Sequence, residues 1–298
     1  MIGENFCFDS RWLSEFGMSM YDPEDSQEWV GREIDKSDIT SLRAIPNHYS
    51  MHYADTLTLH FLIMKNEDIC DSKTDYKLSK FEINGLRAWL ESPSKPTELR
   101  VVEPNNNDPD VRYFGVFTNV QPFIYRQECY GLYLTFTCNA PYGFSELKTE
   151  IQNIGSQTGV TTKNIFVHTA EKNEGIFPII KIYSASNFGS SETLNIENSL
   201  GGNDNGMSLK MPTGLEAITI DCKRKIVTNQ SSEIVPISSI IDNWNANNEY
   251  GLLQLINQNI HWIKLFQGKN VISYQPSQVN TIEKVEILYR DIIKSGGF

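Results

Sequence analysis

The 298-residue chain has no long apolar run, no cysteine framework, no basic excess and no short motif of nucleotide or cofactor chemistry. Its densest apolar stretch, His60-Phe61-Leu62-Ile63-Met64, falls far short of the roughly 18 residues a membrane-spanning helix needs. The opening residues contain Glu4 and no basic group, so they do not read as a secretory signal. Five cysteines (Cys7, Cys70, Cys129, Cys138 and Cys222) are odd in number and widely spaced, with no Cys-x-x-Cys. They read as reduced thiols, buried as small apolar residues, in a protein made in a cytoplasm. There is no Gly-x-Ser-x-Gly elbow, His-Glu-x-x-His pair, Walker loop or dinucleotide fingerprint. Two carboxylates suffice for a glycosidase, but 37 acidic residues always supply some pair, so that signal has no specificity. No catalytic, cofactor-binding or metal-ligating residue is assigned, no cofactor is expected, and the chain reads as no enzyme.

What is present is acidic charge, unevenly placed. The formal balance is −11. Residues 1–147 carry 13 basic and 23 acidic groups, whereas residues 148–298 carry 13 and 14. Such a chain has no electrostatic footprint for sequence-independent nucleic-acid binding and would be repelled by anionic lipid. Its length suggests about two domains, and 40% apolar composition suffices for packed cores.

The dominant period is two. Residues 56–62 and 131–138 alternate, as do 177–183, 194–197, 207–211 and 284–289. This is the pattern of half-buried antiparallel strands. Residues 217–227 read as a hairpin. Residues 260–266 and 271–274 read as another, joined by Gln267-Gly268-Lys269-Asn270. One helix stands out over 79–90. Ile83, Leu86, Trp89 and Leu90 form an apolar stripe, Ser79 and Glu82 have capping-box spacing, and Pro93 and Pro96 stop it. A weaker helix is expected over 237–244. Asn139-Ala140-Pro141-Tyr142-Gly143-Phe144 follows a strand and carries Pro and Gly. The domain boundary is placed there, giving an α+β domain of 1–142 and a nearly all-β domain of 143–298 with the strand spacing of a sandwich.

Isolated features read as structure. His48 and His52 would share a face on a helix, but they sit among Tyr49, Met51 and Tyr53 after Pro46, which favours extended chain over a metal pair. His60, His168 and His261 stand alone in strand-like runs and read as packing or surface residues. Asn203-Asp204-Asn205-Gly206 lacks the bidentate Glu of a calcium loop and reads as a turn, as do residues 105–110. Asp22, Glu24, Asp25 and Glu28 read as a solvated acidic loop, and Lys223-Arg224-Lys225 as a basic hairpin tip.

The order of several segments carries more than any one of them. The chain opens Phe6-Cys7-Phe8-Asp9-Ser10-Arg11-Trp12-Leu13, then runs through Ile45-Pro46, Leu57-Thr58-Leu59-His60-Phe61 and Arg87-Ala88-Trp89-Leu90. Tyr113-Phe114-Gly115-Val116-Phe117 and Leu134-Thr135-Phe136-Thr137-Cys138 follow, and after them Phe177-Pro178-Ile179, Glu216-Ala217-Ile218-Thr219 and Phe266-Gln267-Gly268-Lys269-Asn270. In this order they resemble the distal tail proteins of long-tailed, non-contractile bacteriophages over nearly the whole chain. The departures are local. Ser10 stands where the family often has Gly, residues 48–54 are unusually aromatic, and residues 291–298 run past the last strand. No insertion of carbohydrate-binding size is present, so the chain resembles the short form.

The resemblance implies a mostly β protein. Its N-terminal α+β domain would be a tail-tube-like β-sandwich or barrel with one helix, and its C-terminal domain a galectin-like antiparallel β-sandwich. It implies a virion structural protein, assembled in the host cytoplasm, that forms a homohexameric ring. The ring would join the major tail tube protein to the tail-associated lysin or tail-tip hub protein and carry the receptor-binding protein. DNA would pass through its bore without specific binding, and part of the N-terminal acidic excess is expected to line that bore. A competing reading is a carbohydrate-binding adhesin acting through the C-terminal sandwich. Trp244, Trp262 and Tyr274 are its available aromatics, although Trp262 lies in an alternating run that suits a core. A wall hydrolase is a third reading, with no motif behind it.

Overall fold

The computed structural model describes residues 5–21, 32–37, 48–53, 56–67, 70, 76–102, 111–155, 159–170, 175–189, 192–201, 205–241, 260–278 and 281–293, with 32–37 and 48–53 as backbone. The chain divides into two compact units, Met1–Glu146 and Leu147–Ile292, with Ile293 going with the first.

The elements of the first unit are β1 (Asn5–Phe8), β2 (Arg11–Trp12), β3 (Met18–Tyr21), β4 (Arg32–Ser37), β5 (His48–Tyr53), β6 (Thr58–Lys65), α1 (Lys80–Leu90), β7 (Thr97–Val102), β8 (Arg112–Tyr125), β9 (Glu128–Cys138) and β10 (Gly143–Phe144). One antiparallel sheet runs β2-β1-β7-β8-β9-β6-β3, β10 pairs with β8, and β4 with β5 form a separate ladder. The first and last strands of that path, β2 and β3, are consecutive in the chain, linked by a 3-10 turn at Leu13–Phe16 and by Gly17. So short a link forces the sheet to curl until its ends approach, as in a partly closed barrel.

The inward residues follow the expected alternation. Phe6 and Phe8 from β1, Leu59, Phe61 and Ile63 from β6, and Leu132, Leu134 and Phe136 from β9 are all buried. On β8 the inward parity switches from Tyr113 and Phe117 to Val120 across a bulge between Phe117 and Asn119, where an extra residue resets the alternation. Gly115 cannot be replaced cheaply, because a Cβ there would lie 2.1 Å from the Thr137 carbonyl oxygen of β9. Helix α1 closes this core. Its N-terminus is capped reciprocally: the Glu82 amide donates to Ser79 Oγ at 3.2 Å, and the Ser79 amide donates to Glu82 Oε2 at 2.7 Å. Leu86, Trp89 and Leu90 are buried and Ile83 packs beside them, as the stripe predicted. Trp89 stacks on Phe6 at 5.8 Å and on Phe16 at 4.5 Å, and its indole N–H donates to the Phe8 carbonyl at 3.1 Å.

The second unit holds β11 (Lys148–Asn153), β12 (Thr161–Val167), β13 (Ile179–Ser184), β14 (Thr193–Asn198), β15 (Gly206–Lys210), β16 (Ala217–Asp221), β17 (Ile226–Asn229), β18 (Gly268–Pro276) and β19 (Ile282–Tyr289), with β20 (Ile292–Ile293) after it. They form two antiparallel sheets, β11-β19-β13-β16-β17 and β12-β18-β14-β15. One face of each is apolar and buried. Ile180, Ile182, Ile218, Ile220, Val285 and Ile287 come from the first sheet, and Ile165, Leu194, Ile196, Leu209, Ile272 and Tyr274 from the second. This is the sandwich the spacing predicted.

Two expectations are corrected. Residues 260–266 do not pair with β18, whose neighbours are β12 and β14. Their backbone is held instead by isolated bridges, Leu265 with Ile176 and Ile260 with Met207, and by three buried asparagines. Asn205 Oδ1 accepts from the Lys264 amide at 2.7 Å, Asn198 Nδ2 and Asn205 Nδ2 donate to the Lys264 carbonyl at 2.8 and 2.9 Å, and Asn270 Oδ1 accepts from the Phe266 amide at 2.9 Å. Side-chain amides thus do the work of a strand, and the alternation of Ile263 and Leu265 inward mimics a hairpin. The weaker helix shrinks to a 3-10 turn at Ile237–Ser239, and residues 242–244 lie outside the described residues. β5 is extended, so four residues separate the Cα atoms of His48 and His52 by about 13 Å, too far for the pairing on a helix face. Of the five free cysteines, Cys138 and Cys222 are buried, whereas Cys7, Cys70 and Cys129 are only half-buried.

Three outcomes follow from this packing. Trp89→Ala should cost about 3–5 kcal/mol in a urea titration, whereas Phe81→Ala, at a side chain 87% exposed on the same helix, should stay within about 0.5 kcal/mol. The turn between β1 and β2 places Asp9 and Ser10 at φ of 49° and 64°. Ser10→Gly should therefore stabilise the fold by about 1 kcal/mol, because only glycine adopts that conformation without strain. Burial pushes the Glu82 carboxyl up, but hydrogen bonds from Lys65 and Ser79 outweigh it and hold it below its ordinary 4.5. Its contribution is thus complete at neutral pH and lost as pH falls through the folded value. Glu82→Gln should lose less stability than the wild type on titration below pH 4.5.

Candidate functional site

The first unit carries several exposed large apolar side chains together on the distal half of the β8–β9 hairpin. Beyond Gly115 the only strand paired with β8 is β9 among the described residues, so its other edge is open. The two-residue turn Arg126-Gln127 has φ of 48° and 68°, the pattern of a tight hairpin whose twist matches its strands. Ile124 and Tyr125 are 60% and 55% exposed. Their neighbours brace the arm: Phe123 meets Tyr133 edge-on at 5.5 Å, Tyr125 meets Tyr130 at 6.3 Å, and the Arg126 guanidinium lies over Tyr125 at 5.2 Å. At the tip, Lys77 Nζ lies 2.6 Å from Glu128, and the Leu78 amide donates to the Cys129 carbonyl at 2.8 Å, so the turn end is tied to the segment before α1. The Lys77 hydrogen bond holds the Glu128 carboxyl below its ordinary range. A hairpin with exposed apolar side chains and an edge unpaired among the described residues is a candidate contact surface.

The second unit carries a shallow polar groove of about 440 Å³ on the outer face of the sheet β12-β18-β14-β15. The register lays it out in two rows. In one, Ser273 pairs with Glu197 and Glu197 with Gly206, whose carbonyl accepts from the His261 amide at 2.9 Å. In the other, Gln275 pairs with Asn195 and Asn195 with Ser208. Gly206 has no side chain to fill the space between Glu197 and His261. Val160, one residue before β12, lies beside Gln275, because Thr161 pairs with Tyr274.

Sequence reasoning pointed elsewhere. Of its three sugar-binding aromatics, Tyr274 is 1% exposed and belongs to the core, Trp262 is half-buried, and Trp244 lies outside the described residues. His261 was read as a packing or surface residue and lines the groove. Asn205, expected in a turn, is buried and holds Lys264. The acidic loop at Asp22, Glu24, Asp25 and Glu28, the run 105–110, and Asn203 with Asp204 lie outside the described residues. So does most of the acidic excess. The side chains described within residues 1–147 comprise nine basic and eight acidic groups, leaving four basic and fifteen acidic groups elsewhere in that segment. Among the described residues, no cluster of three or more His, Cys, Asp or Glu has metal-site geometry, and no helix is long and apolar enough to cross a membrane.

Residues 1–140 match the family model described as the phage tail protein N-terminal domain. Among curated proteins, none matches. Solved structures share the fold along the whole chain. The Dit protein of phage SPP1, described as a paradigm of the hub adsorption apparatus in phages that infect Gram-positive hosts, superposes with a TM-score of 0.59 at 13% identity, over 97% of this chain and 98% of that one. A chain of the phage P2 baseplate, in its activated conformation with calcium, superposes at 0.51 and 8% identity, over 98% of each. At such identities the likeness is one of fold, and it extends through both units. Residues 1–140 match a phage tail protein N-terminal domain, and the chain from end to end has the fold of the SPP1 Dit protein.

Proposed function

We propose that this protein is a structural hub of the tail tip of a long-tailed, non-contractile phage. Its copies close into a homohexameric ring between the major tail tube protein and the tail-associated lysin or hub protein, and the ring offers a platform to receptor-binding protein. It acts in the virion after assembly in the host cytoplasm and catalyses no reaction. The observation that carries this reading is the match of residues 1–140 to a phage tail domain, joined to an end-to-end fold likeness to a hub protein.

The surface of the first unit supports it. A ring needs head-to-tail contacts, in which one patch meets a different patch on the next copy. The β8–β9 arm, with Ile124 and Tyr125 exposed and one edge open, supplies one such patch, and β3, which pairs only with β6 among the described residues, supplies a second edge. Strand addition at such edges joins chains through main-chain hydrogen bonds. Part of the acidic excess of residues 1–147 belongs on the bore, where it repels passing DNA. The two expected domains would act as ring former (1–142) and outward galectin-like domain (143–298).

Native mass measurement of the full chain should give a species of six subunits. Ile124→Asp places a charge in the covered patch and should shift that species to monomer while leaving the urea midpoint within error. A wild-type chain that stays monomeric with its tail partners present contradicts the reading, as does a bore lined by Lys and Arg.

A further inference from the structure

We propose that one flank of the second unit, where the edges of β11 and β12 meet, is a contact surface for the same flank of a second copy of this chain. The inference stands on the second unit alone and does not depend on the ring.

The first support is a difference between edges. The two sheets of this unit end in β11 and β17, and in β12 and β15. The chain closes two of these four edges itself. The Val235 amide donates to the Val227 carbonyl at 2.8 Å and the Asn229 amide to the Glu233 carbonyl at 2.9 Å, which covers β17. The His261 amide donates to the Gly206 carbonyl at 2.9 Å and the Lys210 amide to the Ile240 carbonyl at 2.8 Å, which covers β15. Among the described residues, β11 and β12 have no main-chain partner beyond their own sheets. Their two edges share a flank, since Lys163 of β12 lies 3.0 Å from Glu150 of β11.

The register shows which groups are left over. The Ile154 amide donates to the Glu283 carbonyl, so Gln152, Glu150 and Lys148 also face β19, and Thr149, Ile151 and Asn153 turn their N–H groups away. The Ser199 amide donates to the Val271 carbonyl, which turns Val271 toward β14 and Asn270 and Ile272 toward β12. Ile165 and Lys163 are therefore bonded to β18, whereas Thr162, Asn164 and Phe166 point outward. Side chains reach two of the outward carbonyls, Tyr289 that of Phe166 and Gln152 that of Asn153. The six outward N–H groups have no partner among the described residues.

The second support is where apolar surface gathers. Leu147, Ile151, Val160 and Phe166 are four of the five exposed large apolar side chains described in this unit, and each lies on β11 or β12 or next to one of them. The fifth, Ile234, belongs to the segment that covers β17. Apolar side chains beside a bare edge mark a surface that gains by being covered.

The third support identifies the occupant. Two bare edges in layers about 10 Å apart call for a partner with two strand edges at the same spacing. A single extended segment would pair with one edge and leave the other bare. The same flank of a second copy has the required spacing. A two-fold axis perpendicular to the sheets sets each edge strand antiparallel to its own copy and extends both sheets at once. Charge permits this. The only charged residues on the two strands are Lys148, Glu150 and Lys163. Glu150 and Lys163 lie opposite the buried Ile287 and Ile272 and neutralise each other, and Lys148 pairs with Asp291 at 2.5 Å. Inward charges on an edge strand oppose pairing when they are stranded, and here pairing strands none. The strands are about 20 Å long and the flank about as wide, so the contact covers about 400 Å² per copy, half the roughly 800 Å² of a standard stable interface. The pairing is therefore weak and depends on concentration.

The test is sedimentation velocity on the full chain over rising concentration, with amide exchange followed at both ends of the range. The mass at low concentration reports the ring, and its doubling reports the flank, so failure of one is separable from failure of the other. The mass should double as concentration rises, and exchange at Thr149, Ile151, Asn153, Thr162, Asn164 and Phe166 should slow by roughly tenfold. Asn164→Pro removes an outward N–H and costs the folded unit no ladder bond. It should hold the mass at its low-concentration value with the urea midpoint within error. Phe166→Lys, which leaves the backbone unaltered and puts a charge on the flank, should do the same. Ile234→Lys, at an equally exposed apolar residue on the other side of the unit, should leave the doubling intact. The proposal is overturned if the mass does not change with concentration, if it doubles without slower exchange at those six amides, if both flank variants double like the wild type, or if Ile234→Lys abolishes the doubling.

Discussion

The N-terminal unit depends on one contact, that of Trp89 with strand β1. The indole fills the space between Phe6 and Phe16 and donates to the carbonyl of Phe8. It thereby joins the helix to the strand lying beside β2, one end of the curled sheet. Without it, the short link between β2 and β3 would have no apolar wall to close against. With it, Phe6, Phe8, Phe61, Phe117 and Phe136 form one aromatic cluster, and the sheet needs no further cover from inside. The distal β8–β9 hairpin lies beyond this cluster, its turn end tied to Lys77 and Leu78.

The second unit rests on an analogous economy of backbone partners. Asn198, Asn205 and Asn270 satisfy the main chain of Lys264 and Phe266, and the Ile176 backbone satisfies Leu265 between them, so this segment packs outside the two sheets. The same arrangement shapes the groove. Asn205 grips Lys264, and the residue after Asn205, Gly206, accepts from the His261 amide. A buried amide network therefore sets His261 at the rim of a surface hollow. Buried networks of this kind are costly when half satisfied and rigid when complete, which suits them to positioning a side chain two or three residues away.

Much of this was legible in the chain. The helix could be placed from Ser79, Glu82 and the stripe ending in Leu90, because capping and amphipathicity are local rules. The strands of both units could be placed from their alternation. The error at residues 260–266 has a definite cause: alternation reports one buried face and says nothing about which partner holds the backbone. The groove was not legible because Asn195, Glu197 and Gln275 look like the outward residues of any half-exposed strand. Only the register brings them into rows. The hairpin arm was hidden for a similar reason, since Phe123, Ile124 and Tyr125 continue a strand whose inner half is core. The family likeness was carried by order rather than by any single motif, and it led to the fold although Ser10 holds a turn position that favours glycine.

The central claim is that the free surface of the first unit is a ring contact. Electron microscopy of the purified full chain, alone and with tail-tube and hub partners, tests it most directly. The account predicts six-fold rings in which the β8–β9 arm of each copy lies against its neighbour. Single particles with that arm exposed, at every concentration and with both partners present, would contradict it.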